Sequence, residues 1–142
     1  MPSRMESWIY RIGRYIHLRL QKAFILHHIK CLAPPNILGK IYLNAKNVKV
    51  GKNVTFYPGV YLWGNDIEIG DNVDIGVGTI IYSKNGIKIG DNTIIAGQCS
   101  ILKGARIHNH AVIGAQSLVN SEIPENAIAL GTPAKIIKYR NK

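Results

Sequence analysis

Histidine is the side chain best placed to take up a proton near neutral pH, and this chain carries five: His17, His27, His28, His108 and His110. The first three lie among arginines near the start, while His108 and His110 flank Asn109 late in the chain. Within hydrogen-bond reach of a substrate hydroxyl, either of the later two could act as a general base. As a pair they could also offer two metal ligands from one strand or turn. A zinc site needs a third, and none is apparent in the sequence, so no metal is expected. Two solvent-exposed turn residues would fit the same spacing. Cys31 and Cys99 do not make a disulfide framework, and the sequence has neither a P-loop nor a nucleophile elbow.

The element that must position these side chains is a repeat. Counting in sixes from Val50, an apolar residue recurs at Phe56, Leu62, Ile69, Ile75, Ile81, Ile89, Ile95, Ile101, Ile107, Ile113 and Val119. The count slips twice, by one residue before Ile69 and by two before Ile89. The following residue is small at Gly51, Gly70, Gly76, Gly90, Ala96 and Gly114. Four places after the mark, small or β-branched residues recur, Cys99 among them, which predicts a buried and inert thiol there. Six residues hold a short strand and a turn, and one such unit cannot bury its own apolar side chain. The units must therefore stack, which predicts an all-β fold, a parallel β-helix of about four coils with three short faces each. At ~4.8 Å per strand the prism would be ~19 Å tall. Gly51-Lys52-Asn53, Gly70-Asp71-Asn72 and Gly90-Asp91-Asn92 supply corner chemistry.

Three segments follow from the pattern: a basic amphipathic helical segment over 1–33, the hexapeptide-repeat β-helix over 34–123, and a C-terminal loop and basic tail over 124–142. Net charge is +10, and 1–33 holds six basic residues against Glu6 alone. Such an excess implies an anionic partner. Pro34-Pro35 stops any helix there. The N-terminal helix could cap the open end of the coils, or lie on an anionic membrane surface; flotation with anionic vesicles at low salt separates the two. No apolar run reaches the ~20 residues of a membrane span, and no signal peptide is visible. The expected location is cytoplasmic, peripheral at the inner membrane face if the helix binds lipid. No nucleic-acid motif accompanies the charge, so no nucleic-acid partner is expected.

From Ile87 the chain runs IKIGDNTIIAGQCSI and then LKGARIHNHAVIGAQSLVNSEIPENAIALGTPAKIIK. This resembles the hexapeptide-repeat acetyltransferases, nearest the sugar or polysaccharide O-acetyltransferases related to the galactoside and maltose enzymes. The resemblance implies a left-handed β-helix, a homotrimer, a saccharide acceptor, and acetyl-CoA as donor in the groove between subunits. Gly114, Ala115 and Ser117 would leave room for the pantetheine arm beside backbone amides of the face. Thr132 matches the loop that closes over the cofactor, Lys135 and Arg140 are cations suited to its phosphates, and Asn85 resembles a substrate contact. The family's base is a histidine on a loop leaving the coils. Here Ile101 passes straight into Leu102-Lys103-Gly104-Ala105. CoA binding with slow or no transfer is therefore expected, unless His108 or His110 has taken over as base across a trimer interface. The alternative function is a catalytically silent trimeric binding or assembly module.

Overall fold

The structure, a computed structural model, describes residues 42–141, so the expected N-terminal helix over 1–33 lies outside the described residues. Within them there is no helix, only short strands stacked in register. The first face stacks β2 (Thr55–Phe56), β4 (Asp74–Ile75), β7 (Ile94–Ile95), β10 (Val112–Ile113) and β13 (Ala127–Leu130), all parallel. Two longer strands, β1 (Tyr42–Val50) and β3 (Tyr61–Ile69), pair on both sides of a corner that they turn at Asn47 and Asp66. Their first halves continue into β5 (Ile80–Ser83), β8 (Ser100–Ile101) and β11 (Leu118–Val119), which form the second face. Their second halves continue into β6 (Ile87–Ile89), β9 (Arg106–Ile107) and β12 (Glu122–Ile123), which form the third. This is a parallel β-solenoid of about four turns, as the period of six requires.

Register explains the slips. Successive rungs of the first face, Thr55, Asp74, Ile94 and Val112, lie 19, 20 and 18 residues apart. Three hexapeptides make 18, so the one extra residue and the two extra residues sit in the first two turns. They are absorbed where β3 and its neighbour bend between the second and third faces, at Gly64 (φ 108°), Asp66 (φ 55°) and Gly86 (φ 88°). The repeat marks from Phe56 to Val119 are all buried, and so are the small partners Val54, Val60, Val73, Thr79, Thr93, Cys99, Ala105, Ala111 and Ser117. Large and small buried side chains alternate along each turn, a pattern suited to filling a narrow prism.

The corner between the third and first faces is built on a side-chain ladder. Asp71 Oδ1 accepts from the Lys52 amide at 2.7 Å, Asp91 Oδ1 from the Asp71 amide at 2.8 Å, and Asn109 Oδ1 from the Asp91 amide at 2.9 Å. Each carboxylate or amide folds under the residue above, which must then lack a Cβ. A Cβ on Gly51, Gly70 or Gly90 would lie 2.3, 2.2 or 2.4 Å from the oxygen below.

Residues 124–142 are expected as a loop and basic tail; the described part, 124–141, instead carries two strands. Ala127 and Ala129 point inward with no exposure, so the first face gains another rung in β13. The chain then reverses at Gly131 (φ 106°) and adds β14 (Lys135–Tyr139) antiparallel to β13. A count in sixes misses this because the last turn is two residues short: Val112 pairs with Ile128, 16 residues on.

Candidate functional site

Two corners of the last turn carry the residues singled out by sequence. At the corner between the first and second faces, Gly114 is half-buried, Ala115 exposed and Ser117 buried. A Cβ on Gly114 would meet Leu130 Cβ at 2.8 Å, so the small residue lets the closing strand pack close. Ser117 does not face outward; its hydroxyl accepts the Gly131 amide at 3.0 Å. Thr132 Oγ1 reaches the Gln116 carbonyl at 3.4 Å, the Leu118 amide donates to Gly131 O at 3.0 Å, and the Ala134 amide to Leu118 O at 2.8 Å. The Gly131–Lys135 turn is thus clamped onto residues 116–118. The amides of Gly114, Gln116 and Leu118 are already spent on Ala129, Gly97 and Gly131 carbonyls. What this corner offers a pantetheine arm is room and shape rather than a row of free donors at those positions.

β14 then carries the chain across the first face to the opposite corner. Its residues are all exposed, Lys135 at one end and Arg140 just beyond the other. Arg140 Nη1 donates to the His110 carbonyl at 3.3 Å, and its amide to Asn126 O at 2.8 Å. His110 occupies a left-handed corner (φ 60°) in line with Asn53, Asn72, Asn92 and Asn126. Among the described residues its ring meets no hydrogen-bond partner. His108 differs: its Nε2 lies 2.6 Å from Glu122 Oε1, on the surface. Sequence reasoning missed Glu122. The signal lay in rung spacing, since Lys49, Glu68, Lys88, Arg106 and Glu122 form one outward column of the third face.

Asn85 sits apart from both corners, exposed in the bend between β5 and β6 that absorbs the second slip. Cys99 is buried, its Sγ 3.2 Å from Gly114 O, and burial pushes the thiol up in pKa, which disfavours the thiolate. Among the described residues no group of three or more His, Cys, Asp or Glu side chains could hold a metal.

Fold and site together define a class: a hexapeptide-repeat β-solenoid closed by a clamped C-terminal hairpin. Residues 86–121 match the family described as bacterial transferase hexapeptide (six repeats). The bifunctional protein GlmU of Thermosipho africanus is 32% identical over 101 residues, 68% of this chain but 22% of that protein. A hexapeptide-repeat acetyltransferase of Vibrio cholerae, solved with acetyl coenzyme A, superposes with a TM-score of 0.68 at 25% identity, over 80% of this chain and 69% of that one. A maltose O-acetyltransferase of Clostridium difficile gives 0.61 at 27% identity, over 85% and 75%. The chain spans from about a fifth to about half of the length of its curated relatives. Its resemblance is to the hexapeptide-repeat acetyltransferases, in sequence repeat and in fold.

Proposed function

We propose that this protein is a CoA-dependent O-acetyltransferase, working as a homotrimer on a sugar or surface-polysaccharide precursor. The observation that carries it is the Gly131–Lys135 turn, clamped beside the small residues Gly114 and Ala115. Its Vibrio cholerae neighbour holds acetyl coenzyme A on the same fold. The small residues fit a narrow arm, and Lys135 and Arg140, both exposed, fit its phosphates. Acetyl-CoA supplies the activated acyl group as a thioester; this chain supplies the surface that orients it. Calorimetric titration with acetyl-CoA should give saturable binding. Removing both cations (Lys135→Ala with Arg140→Ala) should weaken it roughly tenfold to a hundredfold, the range for losing hydrogen bonds to charged groups. An unchanged affinity would detach the tail from the cofactor.

The trimer is supported by exposed apolar residues around the corner between the first and second faces. Val77, Ile80 and Ile94 are 48%, 45% and 42% exposed. Apolar surface gathered on one corner marks an interaction site. Sedimentation equilibrium should give a mass near three times 15.7 kDa, and Val77→Asp should shift it toward one. A wild-type monomer at every concentration would remove the shared groove.

A catalytically silent assembly module is favoured by one observation. The coil is unbroken from Ile101 to Ala105, with the Leu102 amide on Val119 O and the Ala105 amide on Leu102 O, so no loop leaves it there. Acetyl-CoA binding without thiol release for any acceptor would select that role.

A further inference from the structure

We propose that Asn85 is a site of spontaneous deamidation, at which the backbone nitrogen of Gly86 displaces ammonia from the Asn85 side chain. This inference stands apart from the acetyltransferase reading and needs no cofactor.

Of the asparagines in this chain, Asn85 alone precedes a glycine. The reaction requires the next backbone nitrogen to reach Cγ of the asparagine, and a side chain on that next residue obstructs the approach. Gly86 has none. Apart from its chain neighbours, a Cβ built on Gly86 would meet only Asp66 O, at 3.7 Å, so the space beside the nitrogen is open. That nitrogen must also be free to lose its hydrogen. Residues 84–86 lie between the end of β5 and the start of β6, outside any ladder. Among the described residues the Gly86 amide donates no hydrogen bond. Asn85 itself is exposed, so water reaches it.

The corner asparagines show the opposite arrangement. Asn53, Asn72 and Asn92 precede Val54, Val73 and Thr93, which are buried and branched at Cβ and crowd the nitrogen. Asn109 Oδ1 is held by the Asp91 amide at 2.9 Å, and the next amide, of His110, donates to Asp91 O at 2.8 Å. After Asn126, the Ala127 amide donates to Pro124 O at 3.2 Å. The residue type is shared, but only the bend leaves it unprotected.

The surrounding charge favours the same outcome. Attack requires a nitrogen stripped of its proton, and the product is a carboxylate; nearby cations stabilise both. Lys84 adjoins Asn85, Lys103 occupies the same corner one turn on, and Lys88 and Arg106 face each other across β6 and β9. All four are exposed, and none is ion-paired among the described residues. The acids nearby are engaged elsewhere: Asp66 Oδ1 accepts from Asn47 Nδ2 at 3.1 Å, Glu68 pairs with Lys49, and Glu122 with His108. Like charges opposite one another across a ladder are unfavourable, and a carboxylate at position 85 would offset them.

The chemistry balances with water as the only co-reactant. The Gly86 nitrogen gives its proton to hydroxide and bonds to Cγ of Asn85. The bond from Cγ to Nδ2 then breaks, and Nδ2 takes a proton from water and leaves as ammonia. Water opens the resulting five-membered imide at either carbonyl. Opening at Cγ gives aspartate; opening at the backbone carbonyl gives isoaspartate, whose main chain is one methylene longer. No electrons are gained or lost overall.

The experiment holds the full chain at mildly alkaline pH, samples it over weeks, digests it with pepsin at acid pH and reads the peptides by mass spectrometry. The peptide containing Asn85 should gain one mass unit ahead of every other asparagine and split into two chromatographic forms. One of these should accept a methyl group from S-adenosylmethionine in the presence of an isoaspartyl methyltransferase. Isoelectric focusing should show the loss of one positive charge from the native +10. In Asn85→Gln, where the ring would have six members, the gain at this peptide should disappear. An Asn85 that stays intact while Asn65 or Asn120 converts overturns the assignment. So does conversion that begins only once urea unfolds the chain, since the folded bend would then be holding the nitrogen away.

Discussion

Gly64→Ala is expected to destabilise the protein by about 4 kcal/mol or more, among the largest costs a single methyl group can exact here. A Cβ at this position would lie 1.6 Å from the Ser83 carbonyl oxygen of the next turn, and φ is 108°, outside the range that L side chains adopt comfortably. The obstacle is backbone, and that backbone is pinned: Gly64 pairs with Ser83 in the parallel ladder, and the Ser83 hydroxyl donates to Asn65 O at 2.5 Å. Relief therefore requires parting β3 from β5 at the bend that absorbs the first slip. Gly104→Ala makes the control. It also has a positive φ, 79°, but nothing lies within 4 Å of its added Cβ, so only the left-handed conformation is taxed, by about 1 kcal/mol. Denaturant midpoints at one fixed protein concentration compare the two, since assembly would make stability concentration-dependent. Equal losses would mean that the turns do not approach as closely at Gly64 as described.

Ile101→Ala is expected to cost about 2–5 kcal/mol, because a buried isoleucine is lost and the prism cannot collapse onto the void. Ile101 has no exposure and stands between Ile81 and Val119 in the parallel stack. The ladder holds these rungs at strand spacing, so neighbours cannot slide in to refill the space. Ile137→Ala, at a side chain 56% exposed on β14, should change stability by about 0.5 kcal/mol or less. The same unfolding measurement checks both. Comparable losses at the two positions would show that the central stack is not what holds the fold.

Much of this architecture was legible from spacing alone, because interior packing is dictated locally. Each inward position must be apolar for its own turn, so Phe56, Leu62 and the isoleucines up to Ile113 announce themselves without knowledge of their neighbours. The small partners did the same, down to Cys99 as a buried thiol. The two slips were visible as breaks in the count, and so was the glycine column at Gly51, Gly70 and Gly90. The reason for that column was not visible, since it is an oxygen from the following turn, about twenty residues away, that forbids the Cβ.

The C-terminal hairpin and the pairing of His108 with Glu122 were decided only in three dimensions. β14 is exposed throughout and is held by backbone pairing with β13, and backbone hydrogen bonds leave little trace in side-chain periodicity. Ser117 looked like a small residue beside a groove, yet it anchors the closing turn, which required knowing that Gly131 returns to it. His108 and His110 were indistinguishable as two turn histidines. Glu122 stands 14 residues further on, and only the two-residue contraction of the last turn sets it 2.6 Å from one ring. A repeat specifies what faces inward, because every turn meets the same interior. What meets across the outside depends on the length of each turn, and that is settled when the turns stack.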